Sequence, residues 1–167
     1  MSEKWSSLKK IYGFIWLSSL SLVNVRYKQR KMKNRKIHLN PRGLIENSAF
    51  SQVVITEGSG KTIYIGGQNS VNDKREIVGK GDISLQTEQV MKNIEIALNA
   101  CEVSFDNLVK LNIYILQGQN AHKAFQSSQK YMSRASNPPA ITVLFVAGLA
   151  NPDFLPEVEA VAFLPDK

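Results

Sequence analysis

The chain has 167 residues, 43% of them hydrophobic, with one cysteine, two histidines and a formal net charge of +7. That length buries one core of ordinary size and leaves a second independent domain cramped. The single Cys101 rules out an intrachain disulfide, and His38 and His122 stand too far apart for metal-ligand spacing. No metal and no cofactor is therefore expected, in a reducing, cytoplasmic setting.

The charge is unevenly placed. Residues 1–36 hold ten Lys and Arg against one acid, Glu3, whereas residues 37–167 hold eleven against thirteen. The near-neutral remainder has no electrostatic footprint for a phosphate backbone, so no nucleic-acid partner is expected. The chain reads as a basic and apolar extension, 1–36, followed by one domain, 37–167. Within the extension IYGFIWLSSLSLV, at 11–23, would span about 20 Å as a helix, short of the roughly 30 Å hydrocarbon core of a bilayer. No A-x-A-like cleavage site follows it. Three readings stand: a native start at Met32 with non-native residues before it, targeting or membrane association through an apolar segment beside a polybasic cluster, or another interaction tail. Membrane contact is expected only if the extension is native, and residues 1–31 are expected to be dispensable for folding.

The first elements are two β-branched runs, SQVVITE at 51–57 and KTIYIG at 61–66, joined by GSG and read as a hairpin. A charged, turn-rich loop occupies 69–81. From Asp82, a fitting N-cap, apolar residues recur at 83, 90, 91, 94, 97, 98 and 101, with Thr87 on the same side, and predict a helix. Cys101, at its end, is expected to be buried as a small apolar residue, and both histidines are expected to face solvent. NLVKLNIYIL at 107–116 places Val109, Leu111, Ile113 and Ile115 on one face and Lys110, Asn112, Tyr114 and Leu116 on the other, as in a half-buried strand. A second helix is predicted over 120–134, closed by Asn137 and the proline pair. Strands are predicted at 140–147 and 157–163.

This order suggests an α+β sheet with both helices packed on one face. Residues 141–147 are apolar on both sides apart from Thr142, and Val161 and Phe163 sit opposite Val158, Ala160 and Ala162. A bare second face of that kind predicts self-association, usually with closed cyclic symmetry.

Several stretches converge on one resemblance: NSAFSQVV at 47–54, IYIGGQNSV at 63–71, GDISLQTEQVMKNIEIALNA at 81–100 with FDNLVKLNIYIL after it, NPPAITV at 137–143 and PEVEAVA at 156–162. Over roughly residues 38–165 the chain resembles the YjgF/RidA family, also called Rid or L-PSP. The resemblance implies a chorismate-mutase-like α+β subunit that forms a homotrimer around a central β-barrel, with small-molecule clefts between subunits. It also implies a typical activity, hydrolysis of reactive enamines and imines to a 2-keto acid and ammonia. Family members begin near the HLNP stretch, which favours Met32 as the start.

Carried over residue by residue, the pattern departs from the family at the ligand end. The family has an arginine directly after Pro-Ala, whose guanidinium fork suits a carboxylate; here that residue is Ile141, followed by Thr142. The family tyrosine in the first strand region is Phe50, and the frequent cysteine two positions after the arginine is Val143. An asparagine usual on the second helix is replaced by Ser127 or Ser128. The glutamate thought to orient the attacking water corresponds to Glu157, with Glu159 as the neighbouring alternative. Gly67 matches a position where a missing side chain lets backbone approach a ligand. The resemblance thus implies Glu157 as the catalytic candidate and Phe50, Gly67, Ile141 and Thr142 as ligand-binding candidates.

Three functions follow. The first is a homotrimer that binds a small, neutral or weakly polar metabolite with little or no imine hydrolysis. The second is an active imine deaminase with a different anchor. The third is an L-PSP-type ribonuclease or translation inhibitor, against which the near-neutral domain argues.

Overall fold

The computed structural model of the chain describes residues 34–167. The apolar run at 11–23, with the membrane-contact and dispensability readings attached to it, lies outside the described residues. Among the described residues no helix is long and apolar enough to cross a membrane.

In chain order the elements are β1 (Arg35–Leu39), β2 (Val53–Glu57), β3 (Gly60–Gln68), α1 (Ile83–Ala100), a 3-10 turn (Phe105–Asn107), β4 (Leu108–Leu116), α2 (Ala121–Met132), β5 (Ala140–Val146) and β6 (Pro156–Pro165). Four strands form a mixed sheet in the order β3-β6-β4-β5, with β4 parallel to β5 and antiparallel to β6. The α+β architecture expected from the element order is present, and both helices lie on one face.

The expected hairpin between 51–57 and 61–66 does not form. β2 pairs instead with β1, Ile37 opposite Ile55, while β3 joins the main sheet against β6, Ile65 opposite Ala160. Gly58 sits at φ +87, where a Cβ would run into the Asn34 backbone, and turns the chain between the two sheets. β-branched content favours a strand without choosing its partner. Burial chooses here: Ile65 enters the core, whereas Val53 and Ile55 stay partly exposed.

Asp82 caps α1 by accepting hydrogen bonds from the Ser84 and Leu85 amides at 2.8 and 3.2 Å. The buried residues Ile83, Gln86, Thr87, Val90, Met91, Ile94 and Leu98 form its inward stripe. With Ile65, Leu111, Val158, Ala160 and Ala162 of the sheet they make one core. Cys101 leaves that stripe and is exposed, contrary to expectation. The helix stops at Ala100, Glu102 reverses the chain at φ +58, and Val103 enters the core in its stead, its amide bonded to the Leu98 carbonyl at 3.1 Å. β4 carries a register shift between Leu108 and Lys110, so Leu108 is fully buried and Val109 only half-buried.

Gln86 is fully buried and spans two layers. Its amide nitrogen donates to the Asp153 carbonyl at 2.8 Å and its oxygen accepts from the Leu155 amide at 2.9 Å, fixing the approach to β6. Gln86→Leu keeps the volume but leaves both backbone groups unpaired, and is expected to lower unfolding stability by about 2–4 kcal/mol. A urea midpoint shift worth less than about 1 kcal/mol would mean that water takes over both bonds.

Candidate functional site

The candidate residues fall on two faces of the main sheet. On the helix side, Phe50, Ile141 and Val143 line a cavity of about 980 Å³ beneath α2, together with Met91, Leu111, Ile113 and Val158. The cavity exists because α2 is held chiefly by α1. Lys130 pairs with Glu88 at 3.0 Å, Arg134 pairs with Glu95, and the two cations flank the Tyr131 ring at 5.3 and 5.2 Å. Of the α2 side chains only Ala124 and Tyr131 are buried, so the middle of the helix stands off β4 and β5.

On the other side, Thr142 accepts a hydrogen bond from Lys110 Nζ. Glu159 lies in the same row: Tyr114 donates to its Oε2 at 3.0 Å and Asn112 Nδ2 at 3.3 Å. The hydrogen bond to Glu159, followed by desolvation and the Glu159 and Glu157 charges, holds the Tyr114 hydroxyl above its ordinary pKa. Glu157 lies over Gly67, where an added Cβ would overlap the Glu157 carboxylate. Gly67 thus makes room for that side chain at a break in the β3–β6 register. Within one chain, Glu157, Gly67 and Thr142 are brought to one face and Phe50, Ile141 and Val143 to the other. Ser127 and Ser128 are half-buried on α2, Ser128 at the cavity wall. No cluster of His, Cys, Asp and Glu that could hold a metal occurs among the described residues.

The structure adds residues that the sequence reading did not single out. Tyr114 and Asn112 were legible as the polar side of β4 but had no partner until register placed Glu159 beside them. The other addition is a knot at the start of β5. His38 Nδ1 lies 3.1 Å from both Ser51 Oγ and the Pro138 carbonyl, and Ser51 Oγ donates to that carbonyl at 2.6 Å. His38 is half-buried rather than solvent-facing, because β1 lays it against this turn; His122 is exposed as expected, at the cavity mouth.

Burial first, then the nearby Lys36 charge, lowers the His38 pKa, against the opposing pull of the Pro138 carbonyl and Asp106. The fold therefore favours neutral His38. Its stability is expected to be flat above the ordinary histidine value of 6.5, to fall as pH drops through that value and the unfolded chain takes up the proton, and to level off below the folded pKa. Urea midpoints from about pH 8 to about pH 5 check this, with His38→Gln flattening the curve. An unchanged profile in the variant would assign the acid loss to other groups.

The profile of the family described as Endoribonuclease L-PSP matches residues 44–164, most of the described chain. The chain belongs to that family, the YjgF/RidA or Rid proteins. A RutC family protein of Pyrococcus horikoshii is 30% identical over 105 residues, covering 63% of this chain and 81% of that one. The crystal structure of YyfB from Yersinia pestis, a Rid protein of unknown function, aligns with a TM-score of 0.70 at 31% identity, over 77% of this chain and 98% of its own. The human 2-iminobutanoate/2-iminopropanoate deaminase is 28% identical over 113 residues, 68% of this chain and 78% of that protein. In this Rid chain the residue after Pro139-Ala140 is an isoleucine on an edge strand, and its side chain faces the helix-side cavity.

Proposed function

We propose that the chain acts as a Rid-type homotrimer that binds a small metabolite between subunits and hydrolyses 2-imino acids weakly or not at all. Ile141 carries this reading. A guanidinium at this position holds a carboxylate by two charge-assisted hydrogen bonds; an isoleucine offers none, and Phe50 and Val143 extend the same apolar wall. Assembly is supported by the bare sheet face, where Tyr64 is 79% and Leu144 50% exposed. It is supported again by the division of the candidates between two faces, since only a neighbouring copy sets Glu157 and Gly67 against Phe50 and Ile141. Three sheets closing about a central barrel would do both. Light scattering on the purified protein tests the assembly: three chain masses are expected, and a stable monomer would remove the intersubunit cleft.

A second reading, an active deaminase with another anchor, is favoured by Glu157 over the bare Gly67 and by the name of the human relative. In that chemistry Glu157 takes a proton from water as its oxygen adds to the imine carbon and the imine nitrogen gains a proton. Collapse of the carbinolamine then expels ammonia and leaves the keto acid. The two readings part on keto-acid formation.

A further inference from the structure

The small β1–β2 sheet carries an aliphatic surface that neither the ligand cleft nor the self-association face accounts for. Register sorts its side chains. Lys36 and His38 of β1 turn inward, Lys36 to the Asp106 and Leu108 carbonyls and His38 to Ser51 and the Pro138 carbonyl. The alternate residues Ile37 and Leu39, opposite Ile55 and Val53, therefore share the outer face. Leu39 and Ile55 are each 40% exposed. At the Leu39–Val53 end the surface continues into the loop after β1, which turns at Gly43 and is held to β2 by Gln52. The Gln52 backbone amide donates to Asn40 Oδ1 at 2.9 Å and its side-chain amide to the Ile45 carbonyl at 2.7 Å. Leu44 and Ile45 of that loop are 54% and 72% exposed. A contiguous exposed aliphatic surface of this kind marks an interaction site.

Cations flank it. Arg42 of the loop is exposed and in no ion pair among the described residues, and Arg35 lies on the outer face beside Glu57, its partner at 2.9 Å. In the sequence, residues 26–33, which lead into β1, add Arg26, Lys28, Arg30, Lys31 and Lys33 without an acid; the loop's own acid is Glu46. We infer that this face docks on an anionic lipid surface, the side chains of Ile37, Leu39, Val53 and Ile55 entering the boundary between headgroups and acyl chains while the cations meet the lipid phosphates and carboxylates. Apolar burial and charge add here, since a few aliphatic side chains or a basic run alone hold a protein to a bilayer only weakly. A second copy is a poorer occupant, because it brings the same positive excess to the face. A protein partner fits less well, because the face has none of the aromatic anchors that dominate protein interfaces. The surface differs from the apolar run at 11–23 in belonging to the folded domain, and from the face of Tyr64 and Leu144 in lying on the other sheet. The inference goes beyond the proposed function and depends on neither the imine chemistry nor the trimer.

Flotation of the full chain with vesicles of phosphatidylcholine alone, and of phosphatidylcholine with about 30% phosphatidylserine, tests this. Affinity for the anionic vesicles is expected to exceed that for the neutral ones at least about tenfold, and to fall steeply in about 0.5 M salt. Leu39→Gln combined with Ile55→Gln is expected to lower affinity for the anionic vesicles at least about tenfold with the thermal midpoint unchanged, since each methylene buried is worth about fourfold. Leu44→Gln combined with Ile45→Gln, in the loop and outside any strand, is expected to act in the same direction and guards against a fold effect in the small sheet. Leu85→Gln, comparably exposed on α1, is expected to leave binding unchanged. Full binding by both double variants would show that the basic run acts alone and would overturn the inference, as would equal binding to neutral vesicles or an equal loss in Leu85→Gln. Binding to neither kind of vesicle would also overturn it and would leave the face to a protein partner. The oligomer mass and imine hydrolysis measured on the same preparation report separately on the proposed function.

Discussion

Leu144→Glu is expected to convert a homotrimer into monomers. Leu144 projects from the edge strand β5 on the face opposite the helices, half-exposed within one chain, so the substitution leaves the subunit core untouched. In a closed trimer the same position is covered by the neighbouring sheet, and three carboxylates enter one apolar interface without cations. Each uncompensated buried charge costs about 3–5 kcal/mol, which across three equivalent contacts exceeds what a subunit interface of ordinary size retains. Light scattering at micromolar concentration is expected to show one chain mass for the variant and three for the wild type, with identical circular dichroism. An intact trimer in the variant would place the interface elsewhere.

Ile141→Arg is expected to raise kcat/KM for 2-iminobutanoate about a hundredfold. A charge-assisted hydrogen bond contributes about 1.5–3 kcal/mol, and a bidentate clamp on the substrate carboxylate reaches that rate factor. Ile141 is half-buried at the cavity wall, so the guanidinium can keep contact with water when no ligand is present. Phe50 and Val143 stay apolar and hold the gain below full recovery. No gain in a variant that folds and assembles like the wild type would show that the missing cation is not what limits the chemistry.

Most of the fold was legible because its signals are local. Asp82 and the stripe from Ile83 to Leu98 specify α1 through capping and periodicity, and the alternation of β4 separates Leu111 and Ile115 from Asn112 and Tyr114. What failed depended on distant partners. β1 was unreadable because Lys36 and the residues before it look like a solvated basic tail. In the fold Lys36 is half-buried and its amine reaches the Asp106 and Leu108 carbonyls, with burial, opposed by Asp106, lowering its pKa. With β1 unread, β2 had no visible partner except β3, and the His38–Ser51 pair could not be seen.

The site was half-legible for the same reason. Alternation alone separates Ile141 from Thr142, but it does not say which of them shares a face with Glu157. That follows from two registers together, β4–β5, which sets Asn112 opposite Thr142, and β4–β6, which sets it opposite Glu159. The cavity was invisible in sequence, because α2 has an ordinary amphipathic pattern and only its attachment to α1 shows that it stands off the sheet.

The most direct measurement is keto-acid formation from 2-iminobutanoate or 2-aminoacrylate generated in situ, for the wild type and for Glu157→Ala. The proposed function predicts that the wild type barely exceeds the uncatalysed hydrolysis and that Glu157→Ala changes it little. Robust wild-type turnover that disappears in Glu157→Ala would contradict it and establish a deaminase that holds its substrate without the arginine.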